Sequence, residues 1–288
     1  MTAIIWGADG QDGFYLSSLL KEQGIEVIGI GRSAATEHVD ITNFEEVAEK
    51  VRLHRPDYIF HLAANSTTAH SAWKENHDTI STGSVNILEA VRQFAPESRV
   101  FLSGSGLQFV NNGNPIRETD AFFASSIYAV CRIHTVYVAR YFRSLGVKAY
   151  VGYFFNHDSP LRSERHINKK ILLAAQRIAS GSNEKLQIGD VDVQKEFGFA
   201  GDIVKAVWTL VQQDTVHEAV LGTGIAYPIS KWLDICFTLY GLRWEDHVEQ
   251  LHGFVPEYRV LVSDPSTINS LGWKPETGIE SLAKLMQA

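Results

Sequence analysis

Over the first half of the chain, short apolar runs alternate with longer amphipathic stretches. Ala3–Trp6, Glu26–Ile30, Tyr58–Ala63, Arg99–Ser103 and Ala149–Phe155 are rich in β-branched and aromatic residues, and each is predicted to be a strand. Between them, Asp12–Gln23, Asn43–His54, Thr79–Phe94 and Ser126–Ser144 carry apolar residues at helical spacing. Strand and helix in strict alternation predict an α/β protein with a doubly wound parallel sheet covered by helices on both faces. The near-continuous apolar run Tyr58-Ile59-Phe60-His61-Leu62-Ala63-Ala64 suits a strand buried on both sides. Asn43 ahead of Phe44-Glu45-Glu46 is expected to open its helix with a capping box.

The pattern changes after Phe155. Asn156–Arg165 is polar and turn-rich, and it is followed by a predicted helix over Asn168–Ser180. Lys195–Phe199 is predicted to be a strand, Gly201–Gln213 a helix and Ala219–Gly222 a short strand. Turn signals follow at Ser263-Asp264-Pro265 and Gly272-Trp273-Lys274-Pro275, and a last helix is predicted over Gly278–Met286. This organisation predicts a Rossmann-type domain over residues 1–155, with returning segments near 195–225. Residues 156–194 and 226–288 would form a smaller, interleaved lobe over the carboxyl edge of the sheet, where open α/β folds bind ligands.

The first strand runs into Gly7-Ala8-Asp9-Gly10-Gln11-Asp12-Gly13, three glycines spaced three apart, and then into a helix. Glycine lets the backbone approach a pyrophosphate, and the helix N-terminus offers free N–H groups and a positive dipole end. A dinucleotide cofactor is therefore expected. After the second strand stands Arg32, where an acidic residue would suit an unmodified ribose; the arginine favours the 2′-phosphate of NADP(H) over NAD(H). Asp40, in Asp40-Ile41-Thr42, either faces the adenine amino group or caps a helix. Tyr128 and Arg132 lie four residues apart, on one face of a predicted helix. A phenol beside a cation gives up its proton more readily and can exchange a hydroxyl proton during hydride transfer.

Composition narrows the partners. The 288 residues carry a formal net charge of −7, which provides no broad basic field for nucleic acid. No apolar run approaches the roughly 20 residues needed to span a bilayer. The chain opens directly on a strand, without the pattern of a signal peptide, so the cytoplasm is the expected location. Cys131 and Cys236 are too few for a disulfide framework and lack metal-ligand spacing; both are expected to be buried thiols.

The glycine turn, the Leu62-Ala63-Ala64 strand end and the Tyr128/Arg132 pair fall in the order of an extended short-chain dehydrogenase/reductase. Gly10-Gln11-Asp12-Gly13-Phe14-Tyr15-Leu16, Phe155-Asn156-His157-Asp158-Ser159-Pro160, Lys195-Glu196-Phe197-Gly198-Phe199-Ala200-Gly201-Asp202 and Leu271-Gly272-Trp273-Lys274-Pro275 narrow the match. Together they resemble the GDP-mannose 4,6-dehydratase branch of the NAD-dependent epimerase/dehydratase family. The resemblance implies that Gly7, Gly10, Gln11, Asp12 and Gly13 hold the cofactor pyrophosphate and that Arg32, Asp40 and Ile41 meet the adenosine end. Leu62, Ala63 and Ala64 would line the path to the nicotinamide, with Tyr128 as acid/base and Arg132 beside it. Asn156, Lys169, Lys195 and Arg259 would bind the nucleotide sugar, a GDP-hexose by preference. A homodimer or homotetramer is also implied.

Three departures from that family stand out. Arg132 stands where the family has lysine, which changes a compact ammonium into a planar guanidinium. Gly104 and Gly106 stand where it has a hydroxyl and a carboxylate. Ser103 or Ser105 can supply the hydroxyl, and Glu118 or Asp120 are the candidates for a carboxylate reaching in from the next loop. The arginine that often precedes the C-terminal Asp-Pro is out of register, with Arg259, Arg162 and Arg165 as candidates for its role. The expected activity is hydride transfer at sugar C4. The alternatives are a full 4,6-dehydration using a substitute carboxylate, and a binding protein without turnover.

Overall fold

The computed structural model describes residues 1–33 and 36–287. Strands β1 (Thr2–Trp6), β2 (Glu26–Ile30), β3 (Tyr58–His61), β4 (Arg99–Ser105) and β5 (Lys148–Phe154) join a sixth strand, Glu218–Leu221, in one sheet. The order runs Glu218–Leu221, β5, β4, β3, β1, β2, and every neighbouring pair is parallel. The order reverses at β1, between β2 and β3, which makes the ends of β1 and β3 the switch point where ligands bind in such sheets.

Alternation along β1 shows why these residues make a central strand. Ile4 and Trp6 enter the apolar core on one face of the sheet, and Ala3 and Ile5 enter the core on the other. Helices Gln11–Glu22 and Ala200–Val211 cover one face; Phe44–His54, Gly83–Phe94 and Ile127–Ser144 cover the other. A separate apolar core joins helix Ile167–Ala179 to Ile229–Thr238 and Ile279–Met286, with Phe197 stacked on Trp232. No helix among the described residues is long and apolar enough to cross a membrane. Cys131 and Cys236 are buried free thiols.

Three local expectations are corrected. The stretch expected as one strand over Lys195–Phe199 is two: Gln194–Glu196 pairs with Ala226–Pro228 and Val260–Leu261, while Gly198–Phe199 pairs with His157–Asp158. The break falls at Phe197, whose ring is drawn into the separate core. The helix expected from Thr79 begins at Trp73 and passes through a π-helical segment, His77–Thr82, before Gly83–Phe94. At the Phe44–His54 helix, Asn43 accepts from the Glu45 amide, but Glu46 takes the Asp40 amide rather than closing a box. The reciprocal box forms instead between Ser105 and Gln108, just after β4.

Candidate active site

The chain itself accounts for two of the three glycines in the opening turn. Gly7 has φ +89°, and a Cβ there would lie 2.7 Å from the Ala63 amide nitrogen. A Cβ on Gly13 would strike the Gly7 carbonyl. Gly10 is different. Its nearest protein atom would be 3.4 Å away, an ordinary contact, and it caps the Gln11–Glu22 helix with no side chain. An uncapped helix start beside open space fits a pyrophosphate.

Two cavities meet at this turn, and both are lined by Gly7, Gly10, Leu62 and Ala64. One, of about 980 Å³, runs past the end of β2 and includes Asp9, Arg32, Asp40, Ile41, Ala63 and Glu75. The other, of about 300 Å³, runs over the ends of β3 and β4 and includes Asp12, Ser103, Ser105, Tyr128, Arg132 and Asn156. Most of the residues expected to meet a cofactor are thus gathered along one continuous groove.

In the smaller cavity, Arg132 is buried and folds back onto the end of β4. Its Nη1 donates to the Ser103 carbonyl and, at 2.7 Å, to the Ser103 hydroxyl. Its guanidinium carbon lies 5.1 Å from the centre of the Tyr128 ring. Burial and the Arg132 charge push His61 down to about 3, so this imidazole is neutral and donates from Nε2 to the Thr79 carbonyl in the π-helical segment. Ser103 donates its hydroxyl to the His61 carbonyl. The Ser105 hydroxyl accepts from the Leu107 amide.

The space at the two glycines near the end of β4 is filled by aromatic rings at the end of β5. A Cβ on Gly104 would lie 2.7 Å from the Tyr153 ring, and one on Gly106 would lie 2.9 Å from the Phe155 ring. Phe155 therefore occupies the space a longer side chain at 106 would need. The carboxylates proposed to replace it lie elsewhere. Glu118 accepts from the Thr267 hydroxyl and Asp120 from the Arg117 amide; both border a separate cavity beside Tyr137 and Arg140. Glu257 comes nearer. Its Oε2 is 3.5 Å from the hydroxyl of Thr68, which lines the smaller cavity, and burial raises its carboxyl above the ordinary range.

The polar segment after β5 is tied directly to the glycine turn. Gln11 accepts from the Ser159 hydroxyl at 2.9 Å and donates to the His157 carbonyl at 3.3 Å. His157 donates from Nδ1 to the Phe155 carbonyl at 2.7 Å and from Nε2 to Asp12 at 2.9 Å. With both nitrogens donating, the ring is an imidazolium. Burial opposes that charge, but Asp12 outweighs it and holds His157 above its ordinary value. Burial likewise opposes the Asp12 carboxylate, and His157 holds it below the usual range. Asn156 faces the cavity with its Oδ1 buried and unpartnered.

Three expected substrate cations are not gathered here. Lys169 caps the last helix through the Met286 carbonyl, and Arg259 pairs with Asp190. Lys195 is buried over the Phe197 ring, and burial pushes it down to about 8. Arg162 and His166 line the cavity instead, with Arg162 held by Asp158 at 3.0 Å and by the His157 carbonyl. Ser66, Thr67 and Thr68 also line it. Sequence reasoning passed over this triplet, although three successive hydroxyls a few residues beyond a buried strand end are the available signal. At the other end of the groove, Arg32 does not stand free, because its guanidinium is paired with Glu75 at 3.1 Å. Asp40 accepts from the amide and hydroxyl of Thr42, and Asn43 is the helix cap.

The family model for GDP-mannose 4,6 dehydratase matches residues 4–286. GDP-mannose 4,6 dehydratase 1 of Arabidopsis thaliana is 33% identical, with 99% of this chain and 88% of that protein covered. GDP-mannose 4,6-dehydratase of Vibrio cholerae is 30% identical, covering 99% and 92%. Among solved structures, the UDP-glucose 4-epimerase of Thermus thermophilus in complex with NAD superposes with a TM-score of 0.84 at 20% identity, covering 100% of this chain and 99% of that one. RMD from Pseudomonas aeruginosa, complexed with NADPH, gives 0.86 at 18%, covering 99% and 95%. These two share the fold. With the sheet order, the glycine turn and a family match over nearly its whole length, the chain belongs to the GDP-mannose 4,6-dehydratase family.

Proposed function

We propose that this protein is a nicotinamide-dependent nucleotide-sugar oxidoreductase of the GDP-mannose 4,6-dehydratase type, acting at sugar C4 with Tyr128 as acid/base. One observation carries this reading: the uncapped glycine turn, Tyr128 and the unpartnered Asn156 Oδ1 converge on a single groove. Family membership supports a GDP-hexose as substrate. A bound nicotinamide would supply the acceptor or donor of the C4 hydride. Tyr128 exchanges the C4 hydroxyl proton, while Arg132 keeps a positive charge beside its ring and holds the Ser103 hydroxyl in place. Arg162 and the side-chain amide N–H of Asn156 donate to the diphosphate of the sugar nucleotide. Expecting NADP(H) rests on Arg32, which is engaged by Glu75.

Full 4,6-dehydration is the second reading, favoured by the names of the relatives and by Glu257. Elimination needs a base at C5 and an acid for the departing water. Asp12 is the only carboxylate among the described residues lining the smaller cavity, and it is engaged by His157. The Glu257 carboxyl, raised above its ordinary range and beside Thr68, is suited to take that part.

Incubation of the purified protein with GDP-mannose and dinucleotide, analysed by mass spectrometry, separates the readings. A 4-keto product without loss of water supports C4 oxidoreduction, and a 4-keto-6-deoxy product abolished by Glu257→Gln supports dehydration. Tyr128→Phe is expected to lower turnover by about 10²–10⁴-fold while leaving dinucleotide binding intact. Absence of turnover with any nucleotide sugar would leave a binding protein. The division into a sheet domain and a substrate lobe, with the groove between them, accords with the separate apolar core of the lobe. A homodimer or homotetramer through the Ile127–Ser144 helix is supported by its exposed Val130, Tyr137 and Tyr141.

A further inference from the structure

The loop after β2 presents a row of hydrogen-bond donors to the adenosine side of the groove. Two successive backbone amides, of Arg32 and Ser33, and the Ser33 hydroxyl point at one place. Such an arrangement binds an anion. Here the anion is built into the chain. The Asp9 carboxylate accepts from the Arg32 amide at 2.5 Å, the Ser33 amide at 2.8 Å and the Ser33 hydroxyl at 2.6 Å. Asp9 is itself part of the glycine turn, directly before Gly10, so it reaches across from β1 to the end of β2. A Cβ on Gly31 would strike the same carboxylate, so the glycine there leaves room for it.

The charges around this place point the same way. Asp9, Asp40, Glu75 and Asp78 line the larger cavity, against Arg32 and Lys74. Both cations are already engaged, Arg32 by Glu75 at 3.1 Å and Lys74 by Asp78 at 2.5 Å. Glu75 is also held by the Asn65 amide at 2.8 Å, so Arg32 faces a fixed partner. In doubly wound folds, the residues at the end of the second strand meet the ribose 2′ position. A 2′-phosphate arriving there would bring a charge of about −1.5 to −2 to donors already taken by a carboxylate.

We infer that Asp9 selects an unphosphorylated adenosine ribose, making the cofactor NAD(H) rather than the NADP(H) that Arg32 alone suggests. The carboxylate occupies the donors a 2′-phosphate would use, repels that phosphate, and leaves a ribose hydroxyl as the group that can approach. The inference rests on the proposed dinucleotide function. Isothermal calorimetry on the full chain, titrating NAD⁺, NADP⁺, 5′-AMP and 2′,5′-ADP, tests the two separately.

The wild type is expected to bind NAD⁺ at least about tenfold more tightly than NADP⁺, with 5′-AMP and 2′,5′-ADP in the same order. Asp9→Asn, which keeps the shape and removes the charge, is expected to narrow that ratio by about tenfold. Glu75→Gln, which releases Arg32 without touching the loop, is expected to narrow it independently. Equal or tighter binding of NADP⁺ by the wild type overturns the inference and leaves the dinucleotide reading standing. A ratio unchanged in Asp9→Asn, shown folded by circular dichroism, also overturns it, whatever Glu75→Gln does. Failure of all four ligands to bind overturns both.

Discussion

At the scale of single residues, the site is read best from what each glycine would meet as alanine. Gly7 and Gly13 are required by the fold, because their missing side chains let β1, the turn and the Ala63 backbone close on one another. Gly10 is required by no protein neighbour. Gly7→Ala is therefore expected to destabilise the fold by about 1–3 kcal/mol, from the strained φ and the crowding. Gly10→Ala is expected to leave stability within about 0.5 kcal/mol and to weaken dinucleotide binding. Denaturant unfolding and a binding titration on both variants check this; a Gly10→Ala protein that binds normally would remove Gly10 from the pyrophosphate site. The same reasoning explains the departures at Gly104 and Gly106. Their space is taken by Tyr153 and Phe155, so the family's carboxylate cannot be restored at 106 without moving an aromatic ring.

At the scale of elements, the glycine turn and the segment after β5 are held as one unit by Gln11–Ser159 and Asp12–His157. Sequence reasoning gave Gln11 and Asp12 to the cofactor. The structure gives their side chains to His157 and Ser159, and these bonds place Asn156 beside the turn. The ion pair carries a pH dependence. His157 is held above its ordinary value of 6.5, so its contribution is complete below that value and is lost as pH rises through its folded pKa. Asp12 is held below its ordinary 3.8, so its contribution is present above that value and lost as pH falls through its folded pKa. The pair contributes fully between the two. His157→Asn is expected to cost about 2 kcal/mol near pH 5.5, with the gap from wild type shrinking above pH 7. Thermal melts of both proteins from pH 5 to 9 check this, and a gap that stays constant over that range would mean the ring is neutral.

At the scale of the whole molecule, the groove joins the carboxyl ends of β1, β3 and β4 to a segment that returns from the second half of the chain. A ligand seated there contacts both the sheet and the polar segment only when the chain is folded, so binding adds to global stability. At a dinucleotide concentration of 100 Kd the gain is about 2.7 kcal/mol, which for a chain of this size raises the melting temperature by about 4–5 °C. Differential scanning calorimetry with and without NAD⁺ measures it. No shift at saturating dinucleotide would count against a cofactor in this groove.

The sequence by itself determined the alternating strands and helices, the glycine turn at the head of the first helix, and the family. These are written in local patterns: apolar runs of strand length, helical spacing, and glycines at a switch from one to the other. Tyr128, Arg132, Ser103 and Ser105 lie at or near the ends of elements the pattern predicts, and the fold lines one cavity with all four. Only the tertiary structure decided which charges face the groove. Lys169, Lys195 and Arg259 have the right chemistry, but Lys169 and Arg259 are claimed by a carbonyl and a carboxylate far away in sequence, and Lys195 is buried over the ring of Phe197. Asp9 carried no signal beyond being polar in a glycine turn, yet its carboxylate reaches the amides after β2. Charge type is a property of the residue, whereas the partner that neutralises it is a property of the fold, because the pairing crosses from one strand end to the next.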